Sequence, residues 1–143
     1  MPIKVKPKII IHTFEHRLKS LLFMEIQSNF SLKNYNTFGI EASAKQFVAV
    51  HSITELKTIL SANKNEKKFI LGGGSNMLLT KDIDALVIHI DLKGKKITKE
   101  DDDFVWVESQ AGETWHDFVL WTIDNNFGGL ENMSLIPGNV GTT

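Results

Sequence analysis

The chain has 143 residues, 42% of them hydrophobic and 23% charged, with 17 acidic against 16 basic side chains and a formal net charge of −1. That length bounds it to one core's worth of folded protein, and nearly cancelling charges leave no positive field to recruit nucleic acid. The absence of cysteine excludes a disulfide scaffold, thiol chemistry and thiolate metal sites and fits the cytoplasm, and no apolar run is long enough for a membrane span.

Met1 to Phe23 mixes lysine, histidine and short apolar runs, without the apolar stretch and small-residue cleavage site of an export signal. Met24-Glu25-Ile26-Gln27 is a more conventional opening. The first residues therefore read either as an extension from an upstream start or as an extra helix over His16 to Phe23. Gln46-Phe47-Val48-Ala49-Val50 is a short β-prone apolar run of the kind buried in a sheet. Ser52-Ile53-Thr54-Glu55 has the capping-box pattern, and Ile53, Leu56, Ile59 and Leu60 mark one face of a helix that fades at residues 61–65. Lys68-Phe69-Ile70-Leu71 is a second strand, closing a βαβ unit with parallel strands.

Ala85 to Ile90 is a further strand, and Lys93-Gly94-Lys95-Lys96 marks a turn or junction. Residues 95–98 and 104–108 flank Glu100-Asp101-Asp102-Asp103 as an antiparallel hairpin with a solvated acidic tip. Thr114 is placed to cap a helix carrying Trp115, Phe118, Val119, Thr122 and Ile123 on one face, ending near Asn125-Asn126. On that helix Trp115 suits the core, whereas Trp121, six residues on, points elsewhere, toward solvent or an interface.

Two loops carry the chemistry. Gly72-Gly73-Gly74-Ser75-Asn76 follows an apolar strand, and residues without Cβ can turn several backbone N–H groups toward one anion, with Ser75 and Asn76 adding side-chain donors. The loop has neither the Walker spacing nor G-x-G-x-x-G, and by itself it reads equally as a plain turn. Pro137-Gly138-Asn139-Val140-Gly141-Thr142-Thr143 is a second candidate cradle, with proline fixing the entry and hydroxyls following the glycines. Together they are expected to hold opposite ends of an extended phosphate-containing ligand, against the alternative of two structural turns. His116 lacks a neighbouring carboxylate or second histidine, and Glu108, Glu113 and Glu131 define no catalytic pair, Glu131 being the best of them. His12, His16, His51 and His89 show no metal-ligand spacing.

Five blocks then occur in order: residues 36–40 (Asn-Thr-Phe-Gly-Ile), 71–76, 111–116 (Ala-Gly-Glu-Thr-Trp-His), 129–132 (Gly-Leu-Glu-Asn) and 136–141. In order and spacing they resemble the UDP-N-acetylenolpyruvoylglucosamine reductases, from about Asn34 to the last residue. The resemblance implies an α/β (α+β) FAD-binding domain of the vanillyl-alcohol-oxidase type. Residues 1–33 would be an N-terminal extension, 34–92 a first, βαβ-containing subdomain and 93–143 the start of a second, mainly antiparallel one, with the substrate domain absent.

It further implies that Gly72, Gly73, Gly74, Ser75, Asn76, Pro137, Gly138, Gly141, Thr142 and Thr143 contact FAD. NADPH would donate the hydride and a UDP-sugar would accept it, yielding UDP-N-acetylmuramate for peptidoglycan synthesis. No nucleic acid, membrane, metal or protein partner is implied. The family's catalytic arginine, serine and glutamate match positions beyond Thr143, so no catalytic residue is assigned, and this chain alone is expected to be inactive and to expose apolar surface. The alternatives are another flavin-dependent oxidase of the same superfamily, or a degenerate module whose Gly72 to Asn76 loop would be fully buried.

Overall fold

A computed structural model describes residues 25–142. Its elements are β1 (Gln27–Ser31), β2 (Ser43–Val50), α1 (Ile53–Ala62), β3 (Lys68–Leu71), β4 (Ile83–Ile90), β5 (Lys95–Glu100), β6 (Val105–Ser109) and α2 (Trp115–Asp124). Short 3₁₀ turns lie at Lys33–Tyr35, Glu131–Met133 and Val140–Thr142. The expected helix over His16 to Phe23 lies outside the described residues, as does the alternative opening at Met24.

The larger sheet has the order β1-β2-β4-β3, with β2 and β3 each parallel to β4 and β1 antiparallel to β2. The strands flanking α1 are thus parallel, as a βαβ unit requires, but they do not pair, because β4 inserts between them. The reason is burial: Ala85, Leu86, Val87 and Ile88 are all buried, and an unbroken apolar run needs cover on both faces, which only a central strand receives. The four-residue β3, with Ile70 exposed, takes the edge instead.

β1 carries no strand signal in its sequence, Gln-Ser-Asn-Phe-Ser, yet its Phe30 ring stacks on Phe47 at 4.0 Å. The sheet therefore begins before Asn34, and the boundary expected between residues 33 and 34 falls after its first strand.

Two apolar layers sandwich this sheet. On one face Leu32, Ala42, Ala44, Phe47, Leu71, Leu79 and Val87 pack together, joined by Tyr35 and Met77 from the flanking loops. On the other Val48, Val50, Leu86 and Ile88 receive Ile59 and Leu56 of α1. Ala44 and Phe47 serve one layer although three residues apart, because the pairing with β4 shifts register between Ala44 and Gln46. Ser52 caps α1 by accepting the Glu55 N–H at 3.1 Å, while the Glu55 carboxylate reaches past the cap to the His51 N–H at 2.7 Å. Ile53 and Leu60, expected on the buried face, are 53% and 37% exposed, since at about 100° per residue both lie beyond Leu56, on the side of the stripe away from Ile59.

β5 and β6 form a separate two-stranded antiparallel sheet. Its acidic tip is more than surface: Asp101 Oδ1 accepts the N–H groups of Asp103 and Phe104 and builds the turn. Phe104 and Trp106 are 65% and 41% exposed, in line with the expected apolar surface, and Lys99 Nζ sits 3.9 Å from the Trp106 ring centroid. In α2 Phe118, Val119 and Thr122 are buried, while Ile123 is not. Thr114 occupies the N-cap without a side-chain capping bond; on either side of it the Trp115 N–H and the Glu113 carbonyl bond to Gly138 and Val140, which sets Thr114 opposite Asn139. Trp115 is half-buried, not core, and both it and Trp121 pack on Phe118, which lies three residues from each. Among the described residues no helix is long and apolar enough to cross a membrane.

Candidate functional site

The Gly72 to Asn76 loop leaves β3 and turns against the segment that follows β1. Gly74 has φ +64°, where an L side chain is strained, and a Cβ there would overlap the Tyr35 carbonyl oxygen. Its own carbonyl accepts the Thr37 N–H at 3.2 Å. Tyr35 to Thr37 are held in turn by Asn36, a buried side chain whose amide donates to Leu32 O and Ile40 O and whose Oδ1 accepts the Ile40 N–H. Among the described residues the backbone amides of Gly73, Gly74, Ser75 and Asn76 donate to no protein acceptor. Gly73 and Asn76 are exposed, so the loop lacks the full burial expected of a degenerate module. Clustered, unspent N–H groups on a glycine loop suit a phosphate anion.

The second loop is built differently. Residues 138–141 zip onto residues 111–115: Trp115 N–H donates to Gly138 O at 2.9 Å, Val140 N–H to Glu113 O at 2.8 Å and Gly141 N–H to Ala111 O at 3.0 Å. The Thr142 hydroxyl closes the loop on itself by accepting from Asn139 N–H and donating to Asn139 O. Several amides expected to face a ligand are therefore spent internally, and Gly141 is needed because a Cβ would meet that of Ala111 at 2.6 Å. Pro137 is exposed, and Thr143 lies outside the described residues.

The two loops adjoin rather than face each other across an extended ligand. A Cβ on Gly72 would meet Thr142 Cγ2 at 2.5 Å, and one on Gly73 would meet Asn139 Oδ1 at 2.8 Å. The arrangement is one wall, in which the first loop offers amides and the second offers Asn139 and Thr142 beside them. Two contributors escape sequence reasoning. Asn139 is inconspicuous among its flanking glycines, and Asn36 is visible only as part of a motif, since its partners Leu32 and Ile40 emerge only when the chain turns back.

The ionisable groups nearby are structural. His89 Nδ1 lies 3.3 Å from Leu71 O, at the root of the glycine loop, and burial pushes the imidazole below its ordinary value against the pull of the Leu71 carbonyl and Asp91. Glu131 accepts the Gly129 N–H within its own turn, and backbone amides hold its carboxyl below the usual glutamate value. Among the described residues no cluster of histidine and acidic side chains is arranged to hold a metal.

Glu113 ties the hairpin to α2. Burial pushes its carboxyl up, but the Gly94 amide, the Lys95 ammonium at 3.0 Å and the Lys93 charge outweigh this and hold it below the usual value. A depressed folded-state value adds stability that is present above the ordinary glutamate range and lost as pH falls through the folded value. Glu113→Gln is therefore expected to cost about 1–2 kcal/mol at neutral pH. Urea unfolding from pH 7 down to about pH 3 should show the gap between wild type and variant closing on acidification; a gap independent of pH would contradict this role.

The profile of the FAD binding domain family matches residues 44–143. The chain is 93% identical over 120 residues to UDP-N-acetylenolpyruvoylglucosamine reductase of Flavobacterium johnsoniae, an alignment covering 84% of this chain and 36% of that protein. It is 47% identical over 120 residues to the enzyme of the same name from Pseudomonas fluorescens, covering 82% and 35%. The crystal structure of UDP-N-acetylenolpyruvylglucosamine reductase from Thermus caldophilus superposes with a TM-score of 0.61 at 25% identity, covering 83% of this chain and 41% of that one. The chain thus spans about a third of the length of the curated relatives it matches. With a glycine wall of unspent amides and a profile match across most of its length, the chain belongs to the FAD binding domain family.

Proposed function

We propose that this chain is the flavin-binding segment of a UDP-N-acetylenolpyruvoylglucosamine reductase and that the Gly72 to Asn76 loop receives the FAD pyrophosphate. The observation that carries this reading is the set of unspent amides from Gly73 to Asn76, on a loop too tightly packed to admit a Cβ at Gly74. The residues fit the group: bare backbone N–H groups match phosphate oxygens, and the Asn139 and Thr142 side chains adjoin them. FAD, when bound, supplies hydride transfer; the residues of this chain bind and orient it.

Within the whole enzyme the function is reduction of the enolpyruvyl group of a UDP-sugar, with NADPH as the hydride source, in cytoplasmic peptidoglycan precursor synthesis. The names of the two relatives support the substrate. Gly72, Gly73, Gly74, Ser75 and Asn76 take the phosphates, while Pro137, Gly138, Gly141 and Thr142 on the adjoining segment, with Thr143 following them in sequence, supply further contacts to FAD.

FAD titration of the purified chain, followed by flavin fluorescence and melting midpoint, tests the reading. Saturable binding is expected, weakened more than about tenfold by Gly73→Asp, whose carboxylate repels phosphate and presses on Asn139. Equal binding by wild type and variant would remove the pyrophosphate from this loop. Absence of binding by folded wild type would show that the chain does not hold FAD by itself.

A further inference from the structure

Leu135, at the entrance to the second loop, has φ +64°, a left-handed conformation that glycine adopts freely and leucine does not. Its side chain is 74% exposed, so packing does not hold it there. What holds the segment is the first turn of α2. Trp115 Nε1–H donates to Met133 O at 2.7 Å, His116 Nδ1 lies 2.9 Å from Ser134 Oγ, and the Leu135 N–H points at the same Nδ1 at 3.4 Å. Three consecutive residues are thus gripped by two side chains of one helical turn, immediately before Ile136-Pro137-Gly138 enters the wall.

We infer that His116 is a positioning residue for the proposed flavin site, acting through the backbone of Leu135. The Leu135 amide can only donate, so Nδ1 must keep its lone pair; Ser134 Oγ–H then donates to the same nitrogen, and the ring proton resides on Nε2. A proton on Nδ1 would leave the Leu135 N–H facing another N–H. Trp115 and His116 together thereby fix the angle at which residues 136–142 meet the glycine loop. The effect on FAD rests on the reading given under Proposed function; the effect on Leu135 does not.

The conformational role can be separated from a merely structural one by exchange with glycine, which needs no help at φ +64°. His116→Phe keeps a ring of similar size without an acceptor, and FAD affinity is expected to fall about tenfold. His116→Asn, whose Oδ1 occupies nearly the position of Nδ1, should retain affinity. Leu135→Gly on the His116→Phe background should restore it. Unchanged affinity in His116→Phe, or a loss that Leu135→Gly fails to restore, overturns the inference. If wild type binds no FAD, the flavin reading fails for this chain, and nitrogen NMR of the free protein decides this inference. A neutral Nε2–H tautomer, with Leu135 amide exchange that accelerates in His116→Phe, upholds the grip on Leu135; an Nδ1–H tautomer or unchanged exchange overturns it.

Discussion

Gly74→Ala is expected to lower stability by about 3 kcal/mol or more and to abolish FAD binding by whatever protein remains folded. Two costs add. The backbone sits at φ +64°, worth about 1–2 kcal/mol for any L side chain, and the new methyl would occupy the place of the Tyr35 carbonyl oxygen. Tyr35 cannot yield cheaply, because its ring packs edge-on to Phe30 and His89 and tilts against Phe47, and its neighbour Asn36 is bonded at both ends. Gly39 provides an internal control, with φ +62° and nothing within 4 Å of its missing Cβ. Gly39→Ala should therefore cost only the backbone share, about 1 kcal/mol. Urea unfolding of both variants measures the difference; equal losses would show that the Tyr35 turn does not press on Gly74.

Asn36→Ala is expected to cost about 3 kcal/mol, since it strands the carbonyl and N–H of Ile40 and removes one of the two bonds to the buried Leu32 carbonyl, which keeps only the Tyr35 N–H. Leu32 is fully buried and Asn36 is 6% exposed, so water cannot readily substitute. Asn36→Asp keeps an acceptor for Ile40 but loses both donors and buries a charge, and it should be no better at neutral pH. Denaturant midpoints test the magnitude, and amide exchange at Ile40 and Thr37 tests the location. A loss below about 1 kcal/mol would mean that the turn is held by its backbone alone. The Gly74 carbonyl accepts from Thr37, so loosening this turn should also weaken FAD binding.

These two positions illustrate how far local sequence reaches. Gly74 is legible as part of a glycine loop after a strand, but its partner is not. The carbonyl it abuts belongs to Tyr35, 39 residues earlier, and that approach exists only because β1 folds back antiparallel on β2. β1 itself escapes detection because an edge strand with one anchoring aromatic leaves no alternating pattern. α1, by contrast, is marked at its start by Ser52 and Glu55, contacts within four residues of one another.

The sequence alone determined the local elements other than β1, the two glycine loops and the family to which they belong, because periodicity, caps and motif spacing are written in neighbouring residues. Tertiary structure decided the rest: that β4 lies between β2 and β3, that the loops form one wall instead of two ends, and which amides remain unspent. These depend on burial of Ala85 to Ile88 on both faces and on pairing between segments some 18 to 70 residues apart. Such contacts are chosen by the whole core at once, and no local pattern of side chains encodes them.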